Sequence, residues 1–107
     1  MLPLPYEIYD AYFPYDKSTY PRPCIILDKP VNGRFSAMPI SSAMQLCRGL
    51  PGHFTIEDSD LCFAATGLSR TSYADGTEIR ELDVSLLIRK RGQFESELLK
   101  RYTKWIT

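Results

Sequence analysis

A chain of 107 residues with 44% apolar side chains has enough material for one compact domain, residues 1–107, without staples, and its thirteen basic residues balance thirteen acidic ones. Zero net charge excludes a protein that coats nucleic acid by bulk electrostatics, so any phosphate contact must come from a local patch. The three cysteines, Cys24, Cys47 and Cys62, lack the close pairing of a zinc or redox motif, and with no basic leader or bilayer-length apolar run the reading is of a soluble, cytoplasmic protein without a membrane partner.

Ile8, Tyr9, Ala11, Tyr12 and Phe13 form an aromatic, apolar run suited to a first strand, stopped by Pro14. From Tyr15 to Pro21 the chain is polar, with Asp16, Lys17, Ser18 and Thr19, and it leads into Tyr20-Pro21-Arg22-Pro23. Each proline pushes the residue before it toward extended backbone. Arg22 is therefore presented on a stiff strand entry, where its fork of donors needs little further ordering to take a planar carboxylate or a phosphate. A surface arginine at a strand start is the plainer alternative. Cys24 to Leu27, apolar on both faces, predicts a central strand. Asp28 to Gly33 supplies an Asn-Gly turn, so Arg34 to Ser42 returns as a third strand, with Pro39 near its end because proline serves a central ladder poorly.

Ser42 to Arg48 is open between a helical turn and a loop, closed by Gly49 and Pro51. His53-Phe54-Thr55-Ile56 alternates as a short strand. Asp58-Ser59-Asp60 offers an N-cap to a short helix, Leu61 to Ala65, ended by Gly67. Arg70 to Tyr73 and Thr77 to Leu82 read as extended pieces around Ala74-Asp75-Gly76, where Asp-Gly marks a turn or bulge. Asp83 to Arg89 reads as the last strand, basic at its exit through Arg89-Lys90-Arg91. From Phe94 onward Phe94, Leu98, Leu99, Tyr102, Trp105 and Ile106 recur at helical spacing opposite Glu95, Glu97, Lys100, Arg101 and Lys104. The sum is mainly β with short helices, a small curled barrel closed by a C-terminal amphipathic helix.

Several stretches carry a resemblance in order. They are Glu7 to Pro14, Arg22-Pro23 before Cys24-Ile25-Ile26-Leu27, Ala37-Met38-Pro39-Ile40-Ser41-Ser42, Leu50-Pro51-Gly52-His53-Phe54, and Gly67-Leu68 ahead of Ser72. Together they resemble the MazF/PemK-type toxins of type II toxin–antitoxin systems. The resemblance implies an SH3-like barrel of the CcdB/PemK kind and a metal-independent, cofactor-free endoribonuclease. Such an enzyme cuts single-stranded RNA through attack of the ribose 2′-hydroxyl, so the protein supplies charge and proton transfer rather than a nucleophile.

By position Arg22 resembles the arginine that stabilises transition-state charge, and Ser41 the hydroxyl that bonds a phosphate oxygen, with Ser42 its close rival. Either serine could instead satisfy backbone at a strand end. The acid–base role is where the chain departs from the family pattern of an acidic residue in a Gly- and Gln-containing loop before the arginine. Here Lys17 falls at that spacing with Asp16 beside it. Asp75 resembles the acidic residue of some PemK-like members, but the arginine near it is replaced, with Tyr73 two positions earlier. Tyr6-Glu7 stands where the family opens with glycine and an acid. Lys17, Tyr20, Ser42, Arg70 and Tyr73 are the expected RNA contacts, the tyrosines by stacking on bases.

His53, the single histidine, titrates in a useful range, yet its place on the Leu50 to Phe54 edge reads as structural. No Cys/His cluster or phosphate-cradling glycine loop is present, so no metal site is expected. The resemblance also implies a homodimer and a cognate antitoxin, acidic and partly disordered, that competes with RNA. Two alternatives keep the fold and drop the cleavage: a CcdB-type toxin that binds gyrase, suggested by Lys104-Trp105-Ile106-Thr107, or a MazF-like module that only binds.

Overall fold

Strands whose side chains are apolar on both faces belong at the centre of a sheet. That is where the first three strands of this chain lie. In a computed structural model the described residues are 2–14, 20–42 and 52–94. The strands are β1 (Glu7–Ala11), β2 (Arg22–Ile26), β3 (Arg34–Ser41), β4 (His53–Ile56), β5 (Ser72–Asp75), β6 (Arg80–Asp83) and β7 (Leu87–Gln93). They form one antiparallel sheet in the order β4-β5-β3-β2-β1-β7, with β6 also on β3. The expectation of a mainly β fold with short helical turns is met. The closing helix expected after Phe94, Asp16 and Lys17, and the stretch after Ser42 fall outside the described residues.

Alternation along β1, β2 and β3 builds two apolar layers. Ile8, Ile25, Met38 and Ile40 face one side with Phe54, Ile56, Leu68, Ala74 and Phe94. Tyr9, Ala11, Cys24, Ile26, Phe35 and Ala37 face the other with Phe13 and Leu82. β3 is the hub. One of its edges pairs with β2 from Ala37 to Pro39. Its other edge pairs with β6 from Arg34 to Ala37 and with β5 at Ile40 and Ser41. The strand runs through Pro39, which falls where that second edge passes from β6 to β5. The ladder thus tolerates a residue without an N–H at the point where it changes partner.

The Asn-Gly turn forms as read. Asn32 and Gly33 have φ of 53° and 77°, and Val31 and Arg34 exchange backbone bonds of 2.8 and 3.1 Å, the geometry a tight hairpin needs. Two other expectations are corrected. In place of a helix over Leu61 to Ala65 the chain makes turns and a 3-10 turn, Ala64–Thr66, with bonds from Phe63 to Asp60, Thr66 to Phe63 and Gly67 to Ala64. Five residues between a turn and a glycine close tighter bonds before α-helical ones can propagate. The last strand begins at Leu87, four residues later than expected, because Asp83 accepts a 2.9 Å bond from the Ser85 N–H and opens a 3-10 turn, Val84–Leu86. That bond, with the Ser85 side chain, holds the Asp83 carboxyl below its ordinary range.

Candidate active site

The opening of β2, the end of β3, the start of β5 and the far half of β7 meet around a cavity of about 240 Å³. Its polar wall includes Arg22, Ser41, Ser42, Arg70, Ser72 and Arg91, and its apolar floor is Pro23, Ile40 and Leu68. Arg22 is the first residue of β2, opposite Ala11, and its guanidinium carbon lies 5.8 Å from the centroid of the Phe13 ring. That cation–π contact on a buried ring limits where the charge can swing. Ser41 ends β3 opposite Tyr73. Arg70 stands on the loop into β5, where the Ser72 hydroxyl donates 2.9 Å to its carbonyl.

Arg91 enters this cavity from a strand read only as basic. Across the β1–β7 ladder Ile8 pairs with Gly92 and Tyr9 with Lys90, so Arg91 is an extra residue on β7, a bulge. A bulge re-aims the side chain it carries. Arg91 Nε donates 2.6 Å to one carboxylate oxygen of Asp10, and Arg89 Nε donates 2.7 Å to the other. Arg91 Nη1 donates 3.0 Å to the carbonyl of Gly67. Asp10 is 5% exposed, so its charge is held by two guanidiniums rather than by water. The basic run Arg89-Lys90-Arg91 is visible in the sequence, but nothing beside it marks Asp10, on another strand, as its partner.

The loop bearing Leu68 to Arg70 is fixed on the same strand by two glycines. A Cβ at Gly67 would sit 2.1 Å from the Arg91 carbonyl oxygen, and one at Gly92 would sit 2.1 Å from the Ala65 oxygen. Backbone therefore presses directly on backbone, and Gly67 also needs its left-handed φ of 71°. Buried Thr66 ties the turn together, donating 2.6 Å to the Phe63 carbonyl and accepting from the Leu68 N–H at 3.2 Å.

Four of the residues expected at the site, Arg22, Ser41, Ser42 and Arg70, thus share one cavity. Tyr20 is exposed at the entry to β2, and Tyr73 is buried beside Ser41, neither lining the cavity. Asp75 is also absent from its wall. The Asp75 carboxylate accepts 2.9 and 2.5 Å bonds from the Thr77 N–H and hydroxyl, and His53 Nε2 lies 3.1 Å away across the β4–β5 ladder. His53 is therefore the partner of a turn carboxylate. Cys24 is fully buried, and burial, with the nearby Asp10 charge, pushes its thiol up to about 12, which makes it inert. Among the described residues no group of three or more His, Cys, Asp or Glu side chains is gathered to hold a metal, and no helix is long and apolar enough to cross a membrane.

No protein-family profile and no curated protein matches the chain. Solved structures do. The Mycobacterium tuberculosis toxin MazF-mt6 superposes with a TM-score of 0.70 over 94% of this chain and 91% of its own, at 20% identity. An endoribonuclease in complex with its cognate antitoxin, from a mycobacterial species, gives 0.71 over 97% and 90%, at 17% identity. The chain has the MazF fold.

Proposed function

We propose that a chain with this fold and this cavity is the toxin of a type II toxin–antitoxin pair, an endoribonuclease that cuts single-stranded RNA. The observation that carries the reading is the convergence of Arg22, Ser41 and Arg70, from separate stretches of sequence, on one cavity with a strongly cationic and hydroxylic wall. A phosphodiester is what such a wall suits, since guanidiniums bind its oxygens in pairs and hydroxyls donate to the remainder.

In this mechanism the ribose 2′-oxygen attacks the adjacent phosphorus, the bond to the 5′-oxygen breaks, and a 2′,3′-cyclic phosphate and a 5′-hydroxyl are left. One proton leaves the 2′-hydroxyl and one reaches the departing oxygen. Arg22 stabilises the extra charge on the phosphorane, and the Ser41 hydroxyl donates to a non-bridging oxygen. The proton carrier is Asp16, six residues ahead of Arg22 in the sequence; Asp75, bonded to Thr77 and facing His53, is left to a structural role. The antitoxin-bound neighbour supports an antitoxin partner, and a homodimer with one compact domain per chain completes the reading.

Cleavage of a labelled single-stranded RNA in the presence of a chelator tests this directly. Losing Arg22, as Arg22→Ala, is expected to slow the reaction about 100- to 1000-fold in a protein that still folds, at most slightly destabilised by the lost contact with Phe13. A folded Arg22→Ala protein that cuts at the parent rate would overturn the assignment.

A further inference from the structure

We propose that Arg91 is a second phosphate-binding arginine of the cavity and that Asp10 is the residue that positions it. The inference rests on the RNA-cleaving reading for its substrate and on different observations for its residues. Arg91 is a bulge residue, so the ladder spends a pairing position on directing this side chain. It lines the cavity, and its side chain is 27% exposed, within reach of a ligand. Among the described residues it uses Nε on Asp10 and Nη1 on the Gly67 carbonyl. A guanidinium has five N–H donors, so donors remain after both bonds are made.

Fixing two donors of a planar fork fixes the direction of the rest, and a cation held in place beforehand gives up little entropy on meeting phosphate. Asp10 performs that fixing from inside the sheet. Its second oxygen is taken by Arg89, so the carboxylate cannot rotate without breaking a bond to one arginine or the other. A purely structural arginine would serve the same strand with both ends of its fork buried. Arg91 instead lines the cavity with its side chain 27% exposed and with N–H donors left over after its bonds to Asp10 and Gly67.

The test uses the full chain and a single-stranded oligonucleotide with 2′-deoxyribose throughout, which offers phosphates but no attacking hydroxyl. Affinity is measured between 50 and 200 mM salt, values spanning the usual range of counterion-release measurements. Arg91→Gln is expected to weaken binding roughly tenfold and to reduce the slope of log K against log salt by about 0.7, the value of one single-strand phosphate contact. With cleavable RNA, KM should rise by a similar factor while kcat falls far less than in Arg22→Ala. Arg91→Lys should keep the slope and lose roughly threefold in affinity, since a point charge replaces the fork.

Asp10→Asn should weaken binding in the parent and have no further effect in the Arg91→Gln protein, as residues acting through one contact do. A parent-like slope and KM in Arg91→Gln would overturn the contact; should the glutamine variant fail to fold, a parent-like slope and KM in Arg91→Met, which keeps the aliphatic stem and loses the charge, would do the same. Equal effects of Asp10→Asn in both backgrounds would overturn the positioning role. A parent chain that binds the oligonucleotide through Arg91 yet cuts no RNA would leave the contact standing and remove the nuclease reading; one that cuts RNA with the same KM in the parent and in Arg91→Gln would remove the contact and leave the nuclease reading standing.

Discussion

The two edges of the sheet use charge in opposite ways. At β4, Asp75 and His53 face one another across the ladder, and Thr77 gives Asp75 two more bonds, so the polar groups close on themselves. At β7, Asp10 lies inside the sheet and its bonds run outward to Arg89 and Arg91, one of which lines the cavity. A buried carboxylate near a candidate site is thus not by itself a catalytic one. What matters is where its partners lead: a turn in the first case, a cation on the cavity wall in the second.

Backbone packing gives the sharpest way to break this comparison. Gly92→Ala puts a methyl group 2.1 Å from the Ala65 oxygen and 2.6 Å from the Thr66 carbonyl carbon, and neither is a side chain that can rotate away. Moving the loop off β7 would cost about 3 kcal/mol, and it would displace Arg70 and the Gly67 carbonyl with it. Thermal unfolding should show the loss, and RNA cleavage should fall with it even where the chain remains folded. Gly52→Ala is the control at the other edge. There the new methyl crowds Thr77 Cγ2 at 2.7 Å, a side-chain tip, with backbone no nearer than 3.9 Å, and the φ of 81° costs about 1–2 kcal/mol, with cleavage by the folded protein unchanged. Equal activity losses in the two variants would erase the distinction between the edges.

A smaller effect is expected from Asp75 itself. Asp75→Ala removes the acceptor for two bonds from Thr77 and the partner of His53, a loss of about 1–3 kcal/mol in unfolding free energy. The rate per folded molecule should stay within about twofold of the parent, since neither Asp75 nor its partners Thr77 and His53 line the cavity or hold a residue that does. A fully folded Asp75→Ala protein slowed a hundredfold would return Asp75 to the proton-transfer role that its position in the sequence suggested.

Sequence made the strands legible where one rule dominated. His53 to Ile56 alternates and is a strand to the residue, and Asn32-Gly33 turns the hairpin because both residues accept a left-handed φ. Arg22 and Ser41 could be brought together because both matched positions in the MazF/PemK-type resemblance, and the structure places them on one cavity. Arg91 could not. Its place depends on a skipped register position between β1 and β7, and on a carboxylate 81 residues earlier in the chain, and no local pattern encodes either. The segment Leu61 to Ala65 failed for a related reason. Its apolar residues suit a helix, but the approach of Thr66 and Gly67 to β7, set by Gly92, decides its path.

The smallest effect separates two carboxylates of β1 on the same seam. Lys90 Nζ lies 2.7 Å from Glu7 Oε2, and the Leu4 N–H donates 2.7 Å to Oε1. Burial alone would raise the Glu7 carboxyl, but the Lys90 hydrogen bond, the Leu4 N–H and the Lys90 charge outweigh it and bring it below its ordinary value of 4.5. A depressed carboxyl contributes stability that is fully present above the unfolded value and is lost as pH falls through the folded one. Lys90 moves the other way: its bond to Glu7 raises it above 10.5, so its contribution is complete below that value and is lost as pH rises through the folded one. Thermal midpoints should therefore hold level between about pH 5 and 10 as far as this pair is concerned, and decline below pH 4.5 more steeply in the parent than in Glu7→Gln. RNA affinity at pH 7 should be the same in both, because Glu7 and Lys90 are not on the cavity wall. A Glu7→Gln protein that binds RNA as weakly as Asp10→Asn would mean that the whole seam, rather than the single bond from Asp10 to Arg91, sets the cavity.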